Sequence, residues 1–215
     1  MANINFQWIK TEYPVRISEY ANDLGFNLRT IDGSGIPQEI RETIDKKIRN
    51  RIMNYLDEVW NEQSESNKSL SEVYQGVYVI TLSDNLSIDY NGFPSKVLYI
   101  GRGKTRSRIN NHLKLWVRHL SDSLQDISLD IWMAEILVSG NKNAFKEVES
   151  DLLSTFHDKF NCNPLQNSKL GDYHEKIHNY HDEWGAPLRN PTNIQNGWSI
   201  KPLKNNPWAI KFEDE

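Results

Sequence analysis

The apolar positions along the chain follow two different rhythms. Between Ile36 and Gln63 they recur at helical spacing, with Ile40, Ile44, Ile48, Ile52, Leu56 and Val59 on one stripe. That spacing predicts an amphipathic helix. Pro37 suits its first turn, and the basic run KKIRNR reads as its solvated outer face. Residues 1–35 are less regular: FQWIKTEYPVRI has strand character interrupted by Pro14, and IDGSG is a turn signal. SESNKSLSE (64–72) is polar and Ser-rich, which marks a loop and a boundary.

Past that boundary the rhythm shortens. GVYVITL (76–82) is an apolar strand, SDNLSIDYNGFPS is an elaborated hairpin connection carrying Asn-Gly and Pro, and KVLYIG (96–101) is a second strand. Thr105 stands where a helix cap belongs, ahead of a helix from Arg106 to Leu120 with Ile109, Leu113, Trp116 and Leu120 on its stripe. SLDIWMAEILV (128–138) is a third strand. Residues 141–160 form a second helix that buries Phe145, Val148, Leu152 and Phe156, and NCNPLQN ends it.

Strand, strand, helix, strand, helix predicts an α/β (α+β) unit: a small three-stranded antiparallel sheet flanked by helices. The expected organisation is an N-terminal region with a long helix (1–70) for recognition or dimerisation, the α/β unit (71–167) and an irregular C-terminal extension (168–215).

Charge narrows what this unit can bind. The net charge is −4 and the isoelectric point about 5.9, so contact with nucleic acid must rest on a local patch. The lone Cys162 excludes an intramolecular disulfide and a cysteine-based zinc site. No apolar run is long enough for a transmembrane helix, and MANINFQWIK lacks the apolar core of a signal peptide. A soluble, cytoplasmic protein without a membrane partner is expected.

The local patch exists. Arg102, Lys104, Arg106 and Arg108 fall within seven residues after the second strand. Tyr78 and Tyr99 each lie close to a glycine on the two strands; a phenol can hold a water or donate to a phosphate oxygen, though a strand tyrosine also serves simply to pack. Arg108 and His112, four apart, share a helix face and offer forked donors and a proton carrier, or else a solvated Arg and a surface His. Glu149 stands at the edge of a buried stripe and needs a cationic partner, whereas Glu147, its rival by type, points about 200° away around the helix. Asn161, twelve residues beyond Glu149, is either a site residue or a C-cap. His174, His178 and His181 have helix-like spacing, which suits a second metal site or, preferably, a structural role.

Taken in order, GVY (76–78), YIG (99–101), the RGK turn, the Arg108-x-x-x-His112 pair, Glu149 and Asn161 resemble the GIY-YIG nuclease family across residues 74–167. The resemblance implies a GIY-YIG module acting as a metal-dependent DNA endonuclease, of restriction, anti-phage defence or homing type. It implies one Mg²⁺ or Mn²⁺ held by Glu149. Tyr78 would position or deprotonate the attacking water, with His112 as base or proton acceptor. Arg108 would neutralise charge on the phosphate, Tyr99 and Arg102 would contact the phosphate or leaving oxygen, and Asn161 would brace the site. Arg102, Lys104 and Arg106 would meet the DNA backbone. GVY in place of GIY is a departure of one methylene. Cutting both strands needs two active sites or two binding events, which suits a homodimer or a partner-protein complex. The alternatives are a catalytically inactive module that binds nucleic acid or protein, and an RNase.

Overall fold

The computed structural model describes residues 2–28, 31, 35–83, 86–124, 126–172, 174–189 and 198–200. Along the chain, β1 is Ala2–Ile4, β2 Ile9–Lys10 and β3 Val15–Arg16, followed by α1 (Ile17–Asp23) and α2 (Gln38–Gln63). Then come β4 (Gly76–Leu82), β5 (Leu86–Tyr90), β6 (Phe93–Ser95) and β7 (Val97–Gly103). Next, α3 (Thr105–His112) runs through a π-helical segment (Leu113–Val117) into α4 (Arg118–Ser123). The chain continues with β8 (Ser128–Glu135), α5 (Ala144–Phe160), β9 (His178–Tyr180) and β10 (Trp198–Ile200).

The apolar run GVYVITL lies at the heart of the main sheet. All seven of its residues are buried, because β4 is flanked by β7 on one side and β8 on the other, both antiparallel. This is the three-stranded antiparallel sheet expected from the sequence. It is wider than expected: β2 and β3 both pair with β8, one on each side of Pro14. The strand order is β2-β8-β4-β7, with β3 also on β8. The first segment of the chain is thus part of the same sheet and the same apolar core.

Helix α2 buries Ile44, Ile48, Ile52, Met53, Leu56, Val59 and Trp60. Ile40, expected on that stripe, is 51% exposed in the helix's first turns. In α5 the buried face includes Val148, Leu152, Leu153, Phe156 and Phe160. Between β4 and β7, β5 and β6 form the expected hairpin. Its Asn91-Gly92 turn has φ of 52° and 80°, the positive values that a tight two-residue hairpin turn requires.

Two expectations are corrected. Thr105 is the first residue of α3 rather than its cap; Lys104 holds the cap position and makes no side-chain capping bond. The histidine-rich stretch HEKIHNYHDEW is not helical: His178–Tyr180 is a strand, β9, paired in parallel with β1. The terminal NNPWAIKF lies outside the described residues. No described helix is long and apolar enough to cross a membrane.

Candidate active site

The two tyrosine-bearing strands are in register such that Tyr78 sits opposite Gly101. Alternation along β7 places Tyr99 and Gly101 on one face. A Cβ at Gly101 would come within 2.6 Å of the Tyr78 hydroxyl and 2.7 Å of its Cζ. Only glycine leaves room for the Tyr78 ring, which stacks against Tyr99 with centroids 5.9 Å apart. The other glycine clears a different obstacle: a Cβ at Gly76 would collide with the Thr105 hydroxyl at the start of α3. One glycine admits the tyrosine pair and the other docks the helix that serves it.

That helix brings up His112. Its Nε2 is 2.9 Å from the Tyr78 hydroxyl, and its ring centroid is 4.3 Å from that of Tyr99. The Trp116 indole N–H donates to His112 Nδ1 at 2.9 Å. An indole nitrogen can only donate, so Nδ1 is the acceptor, the imidazole is neutral, and Nε2–H donates to Tyr78. Burial first, and Arg108 second, lower the His112 pKa to about 4, in accord with that tautomer. Trp116 lies in the π-helical segment that begins one residue after His112; such widened turns often sit at functional sites.

Arg108 is exposed at the surface and lies close enough to Tyr78 and Tyr99 to act on both phenols. Burial pushes the Tyr78 phenol well above its ordinary value and Tyr99 adds to this, while Arg108 opposes both. Tyr78 is therefore a neutral phenol at rest.

Glu149 comes from α5. Burial raises its pKa to about 7; Arg102 pulls it down, Asp172 pushes it up and Arg108 pulls it down again. The Arg102 guanidinium stands 3.2 Å from Glu149 and 2.6 Å from Asp172. Glu149 is thus a sheltered carboxylate short of positive charge. A single hard oxygen donor of this kind fits a hard divalent cation that keeps mostly water ligands.

The structure gathers Tyr78, Tyr99, Arg108 and His112 directly, and Arg108 also acts on Glu149. It does not bring in Asn161. That residue is exposed at the C-cap of α5 with φ 52°, its N–H bonded to the His157 carbonyl, about 18 Å along the helix from Glu149. The asparagine that supports the tyrosine strands is Asn167, which the sequence reading missed. Its side-chain amide accepts from the Ile100 N–H at 2.9 Å and donates to the Ile100 carbonyl at 2.8 Å. It thereby pairs with β7 as a neighbouring strand would. The available signal was only an asparagine in a polar turn.

The basic run divides. Arg106 makes a two-pronged ion pair with Asp57 of α2, which binds the helices together. Arg102 is held between carboxylates. Lys104 is exposed, with its ammonium 5.2 Å from the Tyr74 ring. Lys104 and Arg108 have no carboxylate partner among the described residues, so the positive face of this turn is narrower than the sequence suggested.

Glu147 and Asp151 lie one turn apart on α5, on a different side from Glu149. Glu147 bonds Lys176 at 2.6 Å and Asn141 at 2.7 Å, which hold its pKa below the ordinary value against the opposing effect of burial. Asp151, His174 and His178 bring three ligand atoms within 4.8 Å of one another. No known protein family, curated protein or solved structure matches the chain.

Proposed function

We propose that the chain is a metal-dependent endonuclease of the GIY-YIG type that hydrolyses DNA phosphodiester bonds. The observation that carries the reading is the position of Arg108: one guanidinium acts electrostatically on both strand tyrosines and on the carboxylate of Glu149. A phosphate entering between them would meet an exposed arginine fork, two phenols and a carboxylate suited to a cation. Oriented cationic donors at a phosphate stabilise the charge that builds in the transition state.

Tyr78 is the group best placed to orient the attacking water. Its oxygen accepts from His112, and His112 together with the nearby Arg108 charge would stabilise the phenolate whenever its proton is passed on. His112 acts here as a donor that fixes Tyr78, because its free lone pair is already occupied by Trp116. Tyr99, beside Arg108, contacts the phosphate. Arg102 bridges Glu149 and Asp172 and so balances the charge of the carboxylate. Glu149 would hold Mg²⁺ or Mn²⁺, which would supply Lewis-acid stabilisation of the phosphate oxygens. Lys104 and Arg108 offer the backbone contacts; a dimer or a partner protein would widen the footprint.

The test is a parallel digest of supercoiled plasmid and a structured RNA with Mg²⁺, Mn²⁺ or EDTA. Cut DNA with either metal, none with EDTA, and intact RNA are expected; discrete fragments would place the enzyme in a restriction or defence role. Cleavage of RNA alone would make it an RNase. Tight DNA binding with no cleavage under either metal would make it a binding module.

A further inference from the structure

We infer that Asp151, His174 and His178 form a structural Zn²⁺ site, with Glu147 beside His178 as the nearest further donor, that fastens the segment 174–180 to α5. This inference stands apart from the nuclease reading, because none of these residues belongs to the tyrosine, arginine and Glu149 cluster.

The donors converge. Asp151 Oδ1 is 3.0 Å from His174 Nε2, and Glu147 Oε2 is 3.0 Å from His178 Nε2. Bonds of about 2.0 Å in a tetrahedral site give ligand-to-ligand edges of about 3.3 Å. Separations of 3.0 Å, and a triad within 4.8 Å, reach that geometry by small side-chain rotations.

His178 is the second observation. Its side chain is 1% exposed, and neither ring nitrogen has a hydrogen-bond partner. Nε2 lies close to Glu147 but off the line that a hydrogen bond requires. His174 Nδ1 is likewise buried and unpartnered. Buried ring nitrogens without partners are costly, and coordination through Nε2 would satisfy that atom of His178. Around the cluster, the Tyr180 hydroxyl donates to Asp151 Oδ2 at 2.5 Å, the outer bond that typically orients a ligating carboxylate. Two imidazoles with carboxylates select a zinc-like ion over Mg²⁺ or Ca²⁺, which prefer all-oxygen sites.

The site has a purpose in the fold. Asp172, the partner of Arg102, lies two residues before His174, and the fastened segment leads into β9, which pairs with β1. A metal here would anchor β9, and through it the first strand, to the helix that bears Glu149.

The test uses untagged, full-length protein purified without chelator. Metal content is measured by mass spectrometry and melting is followed with and without added Zn²⁺. About one zinc per chain is expected in the wild type, retained in Glu149→Gln and His181→Ala and lost in His178→Ala and Asp151→Asn. Zn²⁺ added to stripped wild type should raise Tm by about 5–10 °C, an effect Mg²⁺ does not reproduce. If His178→Ala does not fold, the stripped wild type decides alone. A wild type that contains no zinc and whose Tm does not respond to it overturns the site. So does zinc that is lost with Glu149→Gln but kept by a folded His178→Ala.

Discussion

The Tyr78 hydroxyl lies 2.9 Å from Nε2 of His112, while the other nitrogen of that ring accepts the Trp116 indole N–H, also at 2.9 Å. Trp116 thereby determines which nitrogen carries the proton that Tyr78 receives. Trp116→Phe keeps an aromatic ring but removes the donor. Nδ1 then becomes free to protonate or to flip toward Tyr78. His112 should lose its single tautomer, while burial and Arg108 still hold its pKa low, and cleavage should fall by about tenfold, as loss of one orienting hydrogen bond implies. Nitrogen NMR of the imidazole alongside a cleavage assay checks both. An unchanged tautomer would remove Trp116 from the site.

Glu149 would give the proposed nuclease its pH dependence. Its folded pKa of about 7 lies above the ordinary 4.5, so the folded chain holds this proton more tightly than the unfolded chain. Stability therefore falls as pH rises from 4.5 through 7, and the penalty is complete above that window. By linkage it amounts to on the order of 3 kcal/mol at most. Glu149→Gln should melt higher than the wild type at pH 8 and match it at pH 4, while losing cleavage. The wild type needs the ionised carboxylate, so its activity should rise through pH 7, with the acid limb moving to lower pH as Mg²⁺ increases. Thermal melts and rate profiles at two metal concentrations test this.

The glycines of the two tripeptides predict separable defects. Gly101→Ala drives a methyl into the Tyr78 and Tyr99 rings and should abolish cleavage while costing about 1–3 kcal/mol of stability. Gly76→Ala strikes the Thr105 hydroxyl and should be relieved in part by Thr105→Ala. Denaturant melts of the singles and the double would show coupling between positions 76 and 105 and none between 101 and 105.

The two asparagines should behave in opposite ways. Asn167→Ala leaves the buried Ile100 amide and carbonyl without partners and should cost about 1–3 kcal/mol together with most of the activity. Asn161→Gly relieves a left-handed backbone, so melting should stay level or rise slightly with cleavage unchanged. Melting and cleavage of the pair decide between them.

What the sequence disclosed was local. The periodicity of residues 36–63, the short strands around the tyrosines and the Asn91-Gly92 turn each depend on neighbours in sequence, and each was legible. Asn167 was not, because its partner Ile100 is 67 residues away. Arg106 reads as a nucleic-acid contact until Asp57, 49 residues distant, is seen beside it. The spacing of His174 and His178 fits one face of a helix, but four residues also return to one face of an extended chain, so the pattern alone could not distinguish them. The π-helical widening after His112 leaves no periodic mark at all.

The most direct measurement compares wild type with Glu149→Gln on supercoiled plasmid in Mg²⁺, after melting shows both to be folded. Nicked or linear products are expected from the wild type alone, and none when EDTA replaces the metal. Equal cutting by the two proteins, or plasmid left equally intact by both, would contradict a nuclease site built on Tyr78, Arg108 and Glu149.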